Sequence, residues 1–223
     1  MKLYAVIVAG GSGKRMGGEI PKQYLELAGK PVLMHTMERF KAFNESIEII
    51  TVLPENQLRF WDDLQRKYSF NIPHTLVKGG RARFFSVRNG LKFVDDQGLV
   101  AIHDGVRPFV SIETIQKCFT TAEKLGNAVP VIPPSDSLRM ISGQGSTPVN
   151  RLLVRQVQTP QVFHSSLIKR AYQQEYIPEF TDDATVLEKT GVKINLVDGN
   201  RENIKITTPE DLIISAALLP TVS

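Results

Sequence analysis

Five short runs dense in Val, Ile, Leu and Ala mark the first part of the chain, at residues 3–9, 47–53, 74–77, 99–103 and 128–132. Brief apolar runs rich in β-branched side chains predict buried strands. Between them, residues 31–43, 55–68, 83–94 and 111–125 space their apolar positions three or four apart, as in Ile112, Ile115, Phe119 and Ala122, which predicts helices. Such alternation implies an α/β architecture with one doubly wound, mostly parallel sheet. Ligands bind such sheets beyond the carboxyl ends of the strands, so the turns after Ala9, Val77 and His103 are where chemistry is expected.

The pattern changes after Pro134. Residues 135–150 are polar, with Gly143, Gly145 and Pro148 between two short apolar runs at 138–141 and 149–153. This predicts a β-hairpin arm, 135–152, that projects from the body and either docks on a second subunit or lies as a surface loop. Regular pattern returns with Thr208, Pro209 and Asp211, the signature of a capped helix start, and a helix is expected through residue 219. A length of 223 residues suits one domain, 1–223, with the arm inside it.

Three clusters carry candidate chemistry. The first follows the opening strand: Ala9-Gly10-Gly11-Ser12-Gly13-Lys14-Arg15-Met16-Gly17, then Pro21-Lys22-Gln23. Glycine lets several backbone N–H groups turn toward phosphate oxygens, and Arg15 and Lys22 add charge. Neither familiar phosphate loop fits. Val8 stands where a Walker A loop needs its first Gly and Arg15 where it needs Ser or Thr, while Met16 replaces the third Gly of a dinucleotide fingerprint. The second cluster, Gly79-Gly80-Arg81-Ala82-Arg83 with Ser86, opens a helix and offers donors for a planar base or an anion, or simply caps that helix. The third is His103-Asp104-Gly105-Val106-Arg107-Pro108. Asp104 there can organise Mg²⁺ or a ribose and Arg107 can grip a phosphate, or the two can close the turn as a salt bridge. His103 reads as structural, because the four histidines show no ligand spacing. Further candidates are Asp136, Ser137, Arg151, Thr159, Thr181-Asp182-Asp183 and Lys205, and no serine or cysteine nucleophile has a recognisable paired base.

Charge narrows the partners. The formal net charge is +4, but the basic residues are scattered near Gly, Pro and strand ends, a spacing that suits a small polyanion and not nucleic acid. No apolar run approaches the roughly 20 residues that span a bilayer, and residues 1–10 lead straight into the Gly-rich turn, so a soluble, cytoplasmic protein is expected. The lone Cys118 falls in a helical apolar pattern and reads as a buried, inert thiol.

With these motifs in view, the chain resembles the 2-C-methyl-D-erythritol 4-phosphate cytidylyltransferases of the non-mevalonate isoprenoid route. The likeness runs in order through Ala9 to Met16, Pro21-Lys22-Gln23-Tyr24, His103 to Pro108, Gln158-Thr159-Pro160-Gln161 and Asn203-Ile204-Lys205-Ile206-Thr207. The resemblance implies a Rossmann-like nucleotidyltransferase fold and transfer of CMP from CTP, with Mg²⁺, onto methylerythritol phosphate. It implies that Ala9, Gly10, Gly11, Ser12 and Gly13 hold the triphosphate, while Arg15 and Lys22 stabilise charge at the α-phosphate. Gly79, Gly80 and Ser86 would contact cytosine, and Asp104 with Gly105 the ribose region. Arg107, Ser137, Thr159 and Thr181 would line the acceptor pocket, and Arg151 and Lys205 would grip its phosphate, with the arm reaching into the partner of a homodimer. Two positions depart from the usual pattern: Ser137 stands where threonine is common, and Gly105-Val106 replaces the frequent Ala-Ala. The rival with the same motifs is a ribitol 5-phosphate cytidylyltransferase; Tyr24 and Val149-Asn150-Arg151 favour the methylerythritol enzyme.

Overall fold

The computed structural model of the chain describes residues 1–10 and 20–219. Gly11, Ser12, Gly13 and Arg15, expected to bind phosphate, lie outside the described residues. β1 (Leu3–Val8) leads by way of a 3-10 turn, Lys22–Tyr24, to the two-residue strands β2 (Glu26–Leu27) and β3 (Lys30–Pro31), and α1 (Val32–Phe43) follows. Then come β4 (Glu48–Leu53), α2 (Leu58–Lys67), β5 (Thr75–Lys78), α3 (Arg83–Leu91), β6 (Leu99–Asp104), α4 (Ile112–Leu125) and β7 (Asn127–Ile132). The hairpin strands β8 (Leu138–Ser142) and β9 (Gly145–Val149) precede β10 (Gln156–Val157), β11 (Gln161–His164), α5 (Ser165–Ala171), α6 (Asp183–Glu188), β12 (Leu196–Asp198) and α7 (Pro209–Leu218).

The main sheet runs β10-β7-β11-β6-β1-β4-β5, with β12 beside β7. β6, β1, β4 and β5 are mutually parallel, so their carboxyl ends share one edge; β11 runs antiparallel between β6 and β7. Strand alternation explains the two cores. Ala5, Ile7 and Ala9 face α1, α2 and α4 through Leu33, Met37, Phe40, Trp61, Ile115 and Phe119. Tyr4, Val6 and Val8 face α3, α5 and α6 through Phe84, Val87, Leu91, Ile168, Tyr172 and Leu187. Each large side chain buried there contributes about 1.5–3 kcal/mol, which is why a polar residue at Val6 would break the centre of the sheet.

The predicted strands and helices form with shifts of a residue or so at most ends. Two helices differ more: the 55–68 run divides into a 3-10 turn, Glu55–Gln57, and α2, and the 83–94 run ends at Leu91. Ser111 caps α4 by accepting from Thr114 N at 3.0 Å, and Thr208 with Asp211 closes a capping box on α7. Cys118 is buried, and burial pushes its thiol up to about 12. No helix of the described residues is long and apolar enough to cross a membrane.

Candidate active site

Parallel strands that end together leave their turns facing one hollow. A cavity of about 290 Å³ opens there, bounded by Ala9 and Gly10 after β1, Lys22 and Gln23 from the 3-10 turn, Gly80 to Arg83 with Ser86 at the start of α3, Asp104 at the end of β6, Val106 beyond it, and Lys205. Local hydrogen bonds aim these side chains. Gln23 donates from Nε2 to Ala9 O at 2.9 Å and to Gln57 Oε1 at 2.8 Å, which fixes the turn carrying the buried Lys22. Ser86 Oγ accepts from Gly80 N at 3.0 Å and donates to Ala82 O at 3.2 Å, so this hydroxyl shapes the glycine turn. A Cβ at Gly80 would stand 2.3 Å from that of Phe85, and one at Gly105 2.8 Å from that of Ala9. Neither position has room for a side chain.

Asp104 is the electrostatic centre. Lys205 Nζ lies 3.0 Å and Arg107 Nε 3.3 Å from its Oδ2, and Arg83 Nε lies 3.7 Å from its Oδ1. Burial opposes ionisation of this carboxyl, and the field of Arg83, Lys205 and Arg107 outweighs it, holding Asp104 well below the usual carboxylate range. The Asp104–Arg107 pair does close the turn, as one of the two sequence readings had it. Arg107 also donates from Nη1 to Asn203 O at 2.7 Å, which ties the 200–206 segment to the end of β6. Ile206 N bonds Val106 O at 3.0 Å while Ile206 is buried, so backbone alternation turns Lys205 outward toward Asp104.

A second network lies beneath. Asp104 N donates to Thr159 Oγ1 at 3.1 Å, Thr159 Oγ1 is 3.0 Å from His103 Nδ1, and His103 Nε2 is 3.0 Å from Arg107 O. A carbonyl only accepts, so Nε2 carries the proton and Nδ1 accepts from Thr159. Burial pushes His103 down to about 4, which keeps the ring neutral and makes it structural, as its sequence context indicates. Thr159 therefore spends its hydroxyl within the scaffold. Gln158 and Asn203 continue the scaffold through Gln158 Nε2 to Asn200 O at 2.9 Å and Asn203 Nδ2 to Thr159 O at 2.8 Å.

The family model for 2-C-methyl-D-erythritol 4-phosphate cytidylyltransferase (IspD) matches residues 3–221. The chain is 51% identical to the Bacteroides thetaiotaomicron protein of that name over 98% of this chain and all of that one, and 54% identical to the Bacteroides fragilis protein over 96% and 98%. The chain belongs to that family. Among solved structures, the 4-diphosphocytidyl-2C-methyl-D-erythritol synthase of Anaerococcus prevotii superposes with a TM-score of 0.83 at 32% identity, covering 98% of this chain and 96% of that one. The Thermus thermophilus cytidylyltransferase gives 0.80 at 29%, covering 99% and 100%.

Of the residues singled out in this cytidylyltransferase sequence, Ala9, Gly10, Lys22, Gly80, Ser86, Asp104 and Lys205 line the cavity, and Gly79, Gly105, Arg107 and Thr159 stand directly behind it. Ser137, Arg151 and Thr181 do not line it. Arg151 is exposed, donates to Ser135 O at 2.8 Å, and borders a separate hollow with Pro133, Arg155 and Arg201. Arg83 and Asp183 escaped assignment, although both stand in segments marked as candidates. Arg83 Nη1 and Nη2 donate to Asp183 Oδ1 and Oδ2 at 2.8 and 2.6 Å across 100 positions of sequence. The available signal was an acid beside an N-cap acid, one more than capping needs: Asp182 caps α6, and Asp183 is fully buried.

Proposed function

We propose that this chain transfers CMP from CTP to 2-C-methyl-D-erythritol 4-phosphate and releases pyrophosphate. The observation that carries the reading is the lining of the cavity: four cations, Lys22, Arg81, Arg83 and Lys205, against one carboxylate, Asp104. Two polyanions must meet for this reaction, and charge neutralisation is what such a lining supplies. The acceptor phosphate has a second pKa of about 6 and is largely dianionic at neutral pH, so it needs no general base. One of its oxygens attacks the α-phosphorus of CTP, a new P–O bond forms, and the bond to the β-phosphate oxygen breaks with its electrons leaving on pyrophosphate. Lys22, buried at the cavity wall, is placed to meet charge building on the α-phosphate, and Lys205 to hold the acceptor phosphate. Asp104 and the Gly79-Gly80-Ser86 turn serve the nucleoside. Gly11, Ser12, Gly13 and Arg15 complete the triphosphate site in this reading.

Asp104 does not suit a resident metal ion, because three cations already surround its carboxylate, and among the described residues no group of three or more His, Cys, Asp or Glu could hold one. Mg²⁺ therefore enters as part of the substrate, bound to the CTP phosphates. The working unit in this reading is a homodimer, with Ser137 and Arg151 of the arm serving the partner's acceptor pocket. Support comes from the arm's exposed Met140, Ile141, Leu152 and Leu153, which form more apolar surface than a lone hairpin needs.

Pyrophosphate release across four nucleoside triphosphates and a panel of polyol phosphates tests the assignment. Turnover confined to CTP with methylerythritol phosphate is expected. Equal turnover with ribitol 5-phosphate would overturn the acceptor.

A further inference from the structure

Arg83 reaches two carboxylates from one guanidinium. Its terminal nitrogens grip Asp183 in a bidentate pair, and its Nε faces Asp104 Oδ1 at 3.7 Å, beyond direct hydrogen-bond length. Asp183 itself is immobilised: it is fully buried, Tyr172 donates its hydroxyl to Oδ1 at 2.5 Å, and the Tyr172 ring stacks on Phe84 with centroids 4.7 Å apart. The next residue is held too, since Ala184 N donates to Gln161 Oε1 at 2.8 Å. Meanwhile the two nearer cations, Arg107 and Lys205, both crowd Asp104 Oδ2. Among the described residues, the carboxylate at the centre of the cavity therefore has one oxygen taken and one approached but not bonded by Arg83.

We infer that Arg83 is a positioning residue for Asp104, and that Asp183 holds its guanidinium back so that Asp104 Oδ1 stays open to the ligand in the cavity. A guanidinium deprived of Asp183 has Asp104 as its nearest carboxylate, and a charge-assisted bond at about 2.7–2.9 Å would form. That bond would occupy the oxygen. The identity of the ligand rests on the nucleotide reading above; the geometry of Asp104 does not. Among the described residues, the charged and titratable groups around this carboxylate are Arg83 from α3, Arg107 from the turn after β6, Lys205 from the segment before α7, His103 on β6, and Lys22 and Arg81 elsewhere on the cavity wall.

The test uses the full-length protein as wild type, Asp183→Asn and Arg83→Gln/Asp183→Asn. In a crystal structure of Asp183→Asn the Arg83 to Asp104 contact should shorten from 3.7 Å to a direct hydrogen bond, and kcat/KM should fall at least about tenfold, the loss expected when a charged contact to the substrate is blocked. The double variant removes the guanidinium that would block Oδ1 and should recover several-fold over Asp183→Asn. In both variants the change should fall on KM for CTP more than on kcat, because the oxygen at issue faces the bound ligand and not the reacting phosphorus. An unmoved Arg83 with wild-type kcat/KM in Asp183→Asn would overturn the inference. Should that variant not fold, Asp183→Ser, which also removes the carboxylate, decides by the same readouts: a shortened Arg83 to Asp104 contact with lowered kcat/KM supports the inference, and an unmoved Arg83 with wild-type kcat/KM overturns it. A wild type that does not turn over CTP and methylerythritol phosphate would sink only the functional reading, and the Arg83 to Asp104 distance would still decide this one.

Discussion

Around Asp104, Arg83, Arg107 and Lys205 arrive from different elements and are held there by partners on others, whereas the β8–β9 arm keeps its polar contacts local and turns its large apolar side chains outward. Arg139 bonds Ser146 on the facing strand and Arg151 bonds Ser135 at the arm's base. Ile141 is 75% exposed and Leu153 83%. The difference separates what a fold completes by itself from what it leaves for another surface. Arg83 and Arg107 are part-buried and Lys205 is exposed, and the chain supplies the partner of each: Asp183 for Arg83, Asn203 O for Arg107 and Asp104 for Lys205. Exposed apolar side chains are tolerated singly, and those of the arm are satisfied by nothing in their own hairpin.

Substitutions sharpen this contrast. On the cavity side, Lys22→Ala should lower kcat on the order of a hundredfold while CTP affinity changes far less, because the contact matters most when charge develops at the α-phosphate. Single-turnover rates with calorimetric CTP binding would show it, and an unchanged rate would reduce Lys22 to a turn residue. The buried side should also be sensitive to acid. His103 is pushed down to about 4 by burial, and unfolding returns it to its ordinary value near 6.5. Between those values only the unfolded chain binds the proton, so stability falls as pH drops through that window. The loss reaches the order of 3 kcal/mol by pH 4. Urea midpoints for wild type and His103→Gln should diverge at pH 7 and converge toward pH 4; parallel curves would refute the account.

On the arm side, Lys22→Ala and Arg151→Ala homodimers should each be nearly inactive, yet co-refolding them should restore up to about a quarter of wild-type activity if Arg151 serves the other subunit. Half the dimers are then mixed, each with one intact site. No recovery, with exchange of subunits demonstrated, would place Arg151 in its own subunit's service. The smallest expected effect is Ile141→Asp: if the arm docks on a second subunit, self-association should weaken about tenfold in sedimentation equilibrium while the dissociated subunit keeps its melting temperature, since the side chain is 75% exposed in its own body. A lowered melting temperature without a change in association would show that Ile141 packs within its own subunit.

How far the sequence could be read follows the same division. β1 and β6 were legible because β6 is buried along its whole length and β1 from Tyr4 onward, and their apolar runs leave no competing pattern. The Thr208 and Asp211 signal was legible because capping is chemistry among near neighbours. β10, β11, β12, α5 and α6 were not, because strands of two to four residues and helices of six or seven carry too few positions to show a period. They are held instead by distant partners, as Asn127 shows by bonding Lys193 O and Asn195 N. In the site, Lys22, Asp104 and Arg107 stood out because charged residues beside Gly and Pro are conspicuous, whereas Lys205, between Ile204 and Ile206, owed its role to the family resemblance. The Arg83–Asp183 pair was hidden for the opposite reason: both residues are ordinary in type, and only the fold shows that they meet.

The surplus of cations along the cavity also bears on how long molecules stay in it. A recess lined by four positive groups and one negative draws in a triphosphate faster than diffusion alone would, by an attraction that salt screens over about 8 Å at physiological ionic strength. The same field acts on whatever is left behind. Pyrophosphate keeps most of the charge that the nucleotide brought, so the groups that hasten capture also slow departure. Residence time of the leaving product, and not the bond-making step, then becomes the quantity that added salt shortens.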